Sequence, residues 1–509
     1  MADVEMAEDK QLSALMAFRN ELLSHEGSVS MFRAQHQDLL TRGACEALAE
    51  ASPELSAKRR FSRPQLITLW SIGVLILIAA LFSFRGVLVG LNAAFILYGL
   101  ALCLFRLSLV ANIIREARPR RIRNTEPLSD DALPLITILC PLYKEEESLP
   151  NLLGALDRLD YPREKLDIKI VLEADDEFTR KAAAKACKPG KYDVVIVPEG
   201  QPKTKPKACN YALWSARGEY IVIYDAEDRP ARDQLRRAAE AFAVLPPTVA
   251  CLQARLNYYN REASWLTRIF AAEYAYIFDI LLPGLTSLGA PLPLGGTSNI
   301  FRTEALLAIG GWDPHNVTED ADIGMRLAAK GYTSRMLDTT TLEEATNGLG
   351  AWFRQRTRWI KGYMQSWAVH SRYLPKSPAH ALTLHLVIGG VIVASLFNPI
   401  FWVLYIVWLS GIVDLDWLFP APLGALATIG FLAGNLILLW LYMLAPMRRR
   451  WHDLVPYALT SPAYWVLQMA AGYRAAWQFI TSPHYWEKTE HGAGLAHEEI
   501  AERDLEAST

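Results

Sequence analysis

The sequence predicts an α/β protein, with a mostly parallel, doubly wound sheet in a water-soluble domain inserted between transmembrane helices. Three observations carry that expectation. Hydrophobic residues make up 51% of the 509-residue chain, and they gather in a few long blocks, as in an integral membrane protein. From about 133 to 342, short apolar runs alternate with amphipathic stretches, the rhythm of βαβ units. Acidic residues stand directly after several of these runs, where an open α/β sheet binds its ligands.

Composition narrows the function classes. A net charge of −2 gives no reason to expect a nucleic-acid partner. The six cysteines (Cys45, Cys103, Cys140, Cys187, Cys209 and Cys251) show neither C-x-x-C nor zinc spacing, which predicts reduced thiols in a cytosolic domain. The acidic N-terminus has no charged stretch followed by an apolar core, so no cleavable signal peptide is expected.

Residues 1–60 carry helix-like spacing at Leu12, Leu15, Met16, Phe18, Leu22 and Leu23. They are expected to form a helical or partly disordered arm, in the main a solvated extension. Residues 61–115 read as a transmembrane hairpin. Segments 66–84 and 87–114 are each long and apolar enough to span a bilayer, with only Arg85-Gly86 between them. Lys58, Arg59, Arg60 and Arg63 precede the hairpin, and Arg115, Arg118, Arg120, Arg121 and Arg123 follow it. The positive-inside rule then places both ends, and the domain after them, in the cytoplasm of an inner or plasma membrane.

Residues 130–372 form the soluble core. Strands are expected at 135–142, 168–172, 194–197, 220–224 and 250–254, with helices such as 148–159 and 232–244 between them. The fourth strand ends in Tyr224-Asp225-Ala226-Glu227-Asp228. Three carboxylates crowded there repel one another unless a cation sits between them, and a hard divalent ion such as Mg²⁺ or Mn²⁺ suits oxygen ligands and substrate phosphates. Taken alone, a solvated acidic turn explains this stretch better. Asp225 would be one ligand, with Glu227 and Asp228 competing for the second place.

The remaining motifs each allow two readings. Glu173 and Asp175, after the second strand, suit hydrogen bonds to a ribose or base, or else helix capping. Lys203, Lys205 and Lys207 lead into a helix start, where cations are awkward unless an anion is bound; a solvated basic loop is the alternative. Gly295-Gly296 lets backbone approach a ligand closely, or simply turns the chain. Thr318-Glu319-Asp320 either caps the next helix or presents a general base. Gln355 and Trp359 share a helix face on a segment that also reads as a membrane-surface helix rich in Arg and Trp.

Residues 380–482 return to the membrane. The stretch 381–410 is long enough to span with tilt, and Asn398-Pro399 kinks or breaks it. The stretch 421–445 runs back toward Arg448-Arg449-Arg450. Segment 454–480, interrupted by Pro456, Pro462 and Arg474, is expected to be an interfacial or re-entrant pair of helices. Residues 483–509 form a polar segment and tail.

Together the motifs resemble the processive-type inverting glycosyltransferases of family 2, which include the bacterial cellulose synthase catalytic subunit, curdlan synthase and hyaluronan synthase. That family's pattern of D, D-x-D, T-E-D and Q-x-x-R-W is matched here by Glu173/Asp175, Asp225-Ala226-Glu227, Thr318-Glu319-Asp320 and Gln355-Arg356-Thr357-Arg358-Trp359. The resemblance spans roughly residues 60–490. Its last two motifs in combination are the specific ones, and it departs from the family in carrying Glu227 where Asp is usual. It implies a GT-A-type, Rossmann-like catalytic domain and a nucleotide-sugar donor, with a UDP-sugar such as UDP-glucose favoured. The acceptor would be a growing glycan or a lipid, and a separate export partner is left open.

Position by position, Glu173 and Asp175 resemble the uracil- and ribose-side acids, Lys207 the lysine on the diphosphate, and Asp225 with Glu227 the metal pair. Asp320 resembles the general base, and Gln355, Arg358 and Trp359 the group holding acceptor and diphosphate. Trp486, Lys488, Thr489 and His491 resemble a W-x-K-T-x-H gating segment over the donor. The resemblance thus implies a membrane-embedded enzyme that polymerises a nucleotide sugar and passes the product outward. The runner-up is a transferase adding one sugar to a lipid. A silent scaffold or a transporter would leave acids at successive strand ends without a purpose.

Overall fold

The computed structural model describes residues 10–25, 28–115 and 127–487. The chain begins with three helices, α1 (Lys10–Ser24), α2 (Val29–Gln35) and α3 (Gln37–Ala51). They are not a solvated extension. Leu15, Phe18, Leu22, Phe32 and Leu40 are buried in one core with residues of the central sheet, because the apolar spacing meets a partner surface that only the fold creates.

Charges fix the docking of these helices. Arg19 donates to the Ala216 carbonyl, and both Arg33 nitrogens donate to Asp193 at 2.9 Å. Burial opposes the Asp193 charge, but Arg33 and Lys169 outweigh it and hold the carboxyl well below its ordinary range. Arg33→Ala is therefore expected to cost about 1–3 kcal/mol, read as a lower melting temperature of the purified protein. Arg42→Ala, which removes an exposed pair with Glu50, should leave melting unchanged.

Helix α4 (Arg63–Arg115) is interrupted at Ser83, whose backbone is non-helical (φ −156°, ψ 92°). Its two halves turn back on each other there. Near its start the Gln65 amide donates to the Ala368 carbonyl at 2.8 Å, and near its end Leu109 packs against Gly284. Between them, Arg85 lies over the Trp417 ring and Asn92 donates to Leu418, in the loop at the opposite end of the helical bundle. The basic residues Arg118, Arg120, Arg121 and Arg123 lie outside the described residues.

The central sheet holds β1 (Ile136–Leu142), β2 (Leu166–Glu173), β3 (Asp193–Val197), β4 (Tyr220–Ile223), β5 (Arg229–Pro230), β6 (Val249–Tyr258), β7 (Asn299–Arg302) and β8 (Thr333–Glu343). Their order is β3-β2-β1-β4-β7-β6-β8-β5. From β3 to β4 all pairings are parallel. Beyond β4 the sheet is mixed, since β7 runs antiparallel to both β4 and β6 and β5 antiparallel to β8. The five strands expected from sequence are all present. β7 is too short to show a period, and β8 is rich in threonine where an apolar run would have marked it.

Helices α5 (Leu149–Asp157), α6 (Glu177–Ala186), α7 (Lys205–Leu213), α8 (Gln234–Val244), α9 (Trp265–Tyr276) and α10 (Glu319–Ala329) flank the sheet, and α11 (Leu349–His370) leads out of it. The sheet's two faces supply separate apolar cores, as a doubly wound fold requires.

The C-terminal helices are α12 (Gly389–Leu396), α13 (Asn398–Ser410), α14 (Leu423–Arg448) and α15 (Ser461–Thr481). The bend between α12 and α13 falls at Phe397, just before Asn398-Pro399. Among the described residues, four helical stretches are long and apolar enough to cross a membrane: Arg63–Ala111, Trp265–Ser287, Pro378–Leu396 and Leu423–Arg448. Of the Trp265–Ser287 window, 78% is buried inside the protein, so its apolar faces are already covered without lipid. α15 packs instead along α11, where Tyr464 meets Trp352.

Candidate active site

The site forms where β4 ends. Asp225 is half-buried and holds the Lys205 ammonium at 2.6 Å, while Lys205 also donates to the Gly296 carbonyl at 2.8 Å. Burial works against the Lys205 charge, but Asp225 and Glu319 raise its pKa overall. Asp225, Glu227 and Gly296 line a cavity of about 850 Å³.

Asp228 does not share that cavity. It is 1% exposed and turned into the fold, where one oxygen accepts from the Asp225 N–H at 2.7 Å and from the Thr297 hydroxyl. Burial, then Asp225 and Glu227, raise its pKa well above the ordinary range. The expected competition between Glu227 and Asp228 is thus unequal in space: Glu227 faces the cavity, and Asp228 braces the turn.

Lys207 is a second correction. It is 1% exposed and pairs with Glu173 at 2.8 Å, away from the cleft where its place is taken by Lys205. Two residues along a helix turn the side chain by about 200°, so only one of the two lysines faces the site. Glu173, held by Lys207, floors one end of the cavity. Asp175 sits at the rim, where Lys203 and the Tyr143 hydroxyl donate to it.

Asp320 reaches the same cavity from the first turn of α10. One of its oxygens accepts from the Ala321 N–H at 2.7 Å, and the other lies 3.2 Å from where a side chain on Gly296 would begin. Burial raises the pKa of Asp320 and, with Asp320 beside it, that of Glu319 to about 7. Arg358 opposes both shifts. Asp322 pins α10 to α11 through His370 at 2.9 Å, and within α10 it takes Arg326 at 2.7 Å.

Gln355, Arg358 and Trp359 project from α11 into the cavity. The Thr346 hydroxyl donates to Gln355 at 3.3 Å, and the Trp486 ring lies 5.2 Å from the Arg358 guanidinium. Trp486 therefore closes over the α11 side; Lys488, Thr489 and His491 lie outside the described residues. The segment before it is tied down by Lys361, which donates to the Tyr485 carbonyl at 2.6 Å.

Sequence reasoning missed two residues here. Glu343, at the end of β8, lines the cavity, and burial followed by Asp228, Glu227 and Asp225 raises its pKa well above the ordinary range; the threonine-rich strand hid it. Gly362 of α11 was also missed. A Cβ there would sit 1.7 Å from the Thr318 hydroxyl oxygen, so α11 approaches Asp320 this closely only without a side chain at 362.

The carboxylates lining the cavity outnumber its cations. Burial first, and neighbouring carboxylates after it, raise the pKa values of Glu319 and Glu343, and a divalent ion would offset that crowding of negative charge. Among the described residues no three His, Cys, Asp or Glu side chains form a ready-made metal cage. Two carboxylates completed by substrate phosphates are the usual arrangement for Mg²⁺, and Asp225 with Glu227 fit it.

The cavity also reaches Val387, Gly390 and Ser395 of the apolar Pro378–Leu396 stretch and Tyr442 of α14. A second cavity of about 180 Å³ continues from there to Asn92 and Phe419, sharing Leu102, Arg106, Ser395 and Gln468 with the first.

Strand-end acids with a lysine between them, facing a cavity that runs on among apolar helices, suit the binding of a phosphorylated substrate at the end of an α/β sheet. The chain belongs to glycosyl transferase family group 2, whose model matches residues 220–475, and its catalytic domain has the GT-A-type fold.

Among curated proteins it is similar to the probable glucomannan 4-beta-mannosyltransferase 7 of Oryza sativa subsp. japonica, at 27% identity over 45% of this chain and 40% of that protein. It is also similar to the probable glucomannan 4-beta-mannosyltransferase 10 of Arabidopsis thaliana, at 25% identity over 48% and 47%. The chain spans about half the length of the curated relatives it matches. Among solved structures, a mannosyltransferase from Pyrobaculum calidifontis in complex with GDP-Man and Mn²⁺ aligns at 21% identity and a TM-score of 0.49, covering 76% of this chain and 99% of that one.

Proposed function

We propose that the chain is a membrane-embedded, inverting polysaccharide synthase that adds hexose from a nucleotide sugar to a growing glycan and passes the glycan through its membrane helices. The observation that carries this reading is the succession of two adjoining cavities with shared lining residues, the first at the strand-end acids and the second reaching Asn92 and Phe419. A transferase that adds one sugar to a lipid needs no such passage.

In this reading residues 1–60 are a docked helical module, 61–115 and 380–482 the membrane part, 130–372 the catalytic domain and 483–509 a gating segment with its tail. The catalytic domain faces the cytoplasm of an inner or plasma membrane, as the basic residues flanking the first hairpin favour.

Glu173 and the rim group of Tyr143, Asp175 and Lys203 receive the nucleoside, and Lys205 meets the diphosphate. Asp225 and Glu227 hold Mg²⁺ or Mn²⁺, which when bound stabilises charge on the leaving diphosphate. Asp320 takes the proton from the acceptor hydroxyl as that oxygen attacks the sugar. Arg358 faces the diphosphate as it departs, and Trp359 offers the acceptor sugar an aromatic face. No covalent nucleophile is required.

The glucomannan mannosyltransferases among its relatives favour nucleotide-linked mannose beside UDP-glucose as first donors to test. Membranes carrying the protein, given each labelled donor with Mn²⁺ or with EDTA, are expected to make a metal-dependent polymer from one of them. A product consisting only of singly glycosylated lipid would refute polymerisation, and no transfer from any nucleotide sugar would refute the reading as a whole.

A further inference from the structure

Where the catalytic cavity narrows toward the membrane helices, a buried polar cluster ties α9, α11 and α15 together. Arg356, next to Gln355, forms a two-pronged ion pair with Glu273 at 3.0 and 2.6 Å. Tyr464 accepts from Arg356 at 2.7 Å and donates to Glu273 at 2.6 Å. The Gln468 amide, one turn further along α15, donates to the other Glu273 oxygen at 2.7 Å. Each Glu273 oxygen thus takes two hydrogen bonds.

Stability alone is a poor reason for this arrangement, because apolar residues of similar volume commonly replace a buried ion pair without loss. Two features point to the acceptor path instead. The Arg356 guanidinium lies 4.7 Å from the centre of the Trp359 ring, and Phe270 and Tyr274 flank the same ring. The charge that Glu273 holds in place therefore steadies the aromatic surface facing the cavity. Gln468, for its part, lines both cavities. With its NH₂ turned to Glu273, its carbonyl oxygen has no protein donor among the described residues.

We propose that Glu273 and Arg356 are positioning residues for the glycan: the pair fixes the Trp359 ring and orients Gln468, whose carbonyl accepts a sugar hydroxyl where the chain leaves the catalytic cavity. This inference rests on the glycan-synthesis reading above. Its consequence is that grip on the acceptor depends on the cluster while grip on the donor does not, since the donor side is built from Lys205, Asp225 and Glu227 at the strand ends.

The test uses full-length protein and whichever donor the wild type accepts, with an added oligosaccharide of the same sugar as acceptor. Gln468→Leu is expected to raise the acceptor KM about tenfold, the worth of one hydrogen bond, and to shorten the product, with donor KM changed by less than about twofold. The double variant Glu273→Leu/Arg356→Met replaces the pair by apolar side chains and so keeps the fold. It is expected to stay folded, with melting lowered by no more than the Tyr464 hydroxyl's loss of its Glu273 acceptor, yet show the same acceptor defect and short product.

A double variant that elongates as well as the wild type would make the cluster purely structural and overturn the inference. So would a Gln468→Leu protein with unchanged acceptor KM and product length, or a donor KM that rises in step with the acceptor KM. A wild type that transfers no sugar at all would instead overturn the proposed function, and this inference with it.

Discussion

Asp320→Asn is expected to lower kcat by about 10²–10⁴-fold, the range for loss of a positioned general base, while nucleotide binding and melting temperature hold. The substitution keeps the shape of the side chain and an oxygen for the Ala321 N–H, so a loss of rate would report chemistry and not folding. The pH dependence supplies a second readout. Burial raises the Asp320 pKa and carries that of neighbouring Glu319 to about 7. A base works only when ionised, so the wild-type rate should climb with pH over a range above that of ordinary carboxylates. In the Asn variant that acid limb should disappear from the residual activity.

The stability contribution has the opposite sign. Glu319 keeps its proton longer in the folded protein than in the unfolded chain, so its contribution is full below its ordinary pKa of 4.5 and is lost as pH rises through about 7. Wild-type kcat in Asp320→Asn, or an acid limb that survives the substitution, would exclude Asp320 as the base.

The site was legible from sequence to the extent that secondary structure aims residues. Asp225 follows a short apolar run that reads as a buried strand, and Asp320 opens a helix. Gln355 and Trp359 share a helical face, and all four line one cavity although Asp225 and Trp359 are far apart in the chain. What could not be read was anything set by a partner across space. Whether Lys205 or Lys207 faces the cleft depends on helical phase, and Glu173 decides it by holding Lys207 in the interior.

The inward turn of Asp228 depends on Thr297, sixty-nine positions away. Glu343 was hidden because β8 gains its strand character from pairing with β6 and not from its own side chains. The N-terminal helices carried a readable apolar stripe, but the surface that buries it, with Arg33 on Asp193, exists only in the folded sheet. Long apolar helices were the easiest part to foresee, because length and apolarity alone define a stretch that could cross a membrane, although Trp265–Ser287, which meets the same criteria, was not foreseen.

The two acids at the end of β4 offer the sharpest contrast. Asp225→Asn is expected to reduce Mn²⁺-dependent transfer by about 10³-fold or more, since a metal's stabilisation of the leaving group is worth several kcal/mol. It should also weaken Mn²⁺ binding in the presence of nucleotide. Asp228→Asn should do neither. Burial, then the charges of Asp225 and Glu227, disfavour the charged form of Asp228, so a neutral amide of the same shape suits its surroundings. The remaining carbonyl oxygen still accepts from the Asp225 N–H and the Thr297 hydroxyl, the two bonds that shape the turn.

Asp228→Ala, by contrast, strands both donors inside the protein and should destabilise it by about 1–3 kcal/mol. Mn²⁺ titration of activity across these variants, beside Glu227→Gln, separates a ligand from a brace. If Asp228→Asn lost metal dependence as fully as Asp225→Asn, Asp228 would have to ionise and swing into the cavity when metal binds, and Glu227 would lose its place as the second ligand.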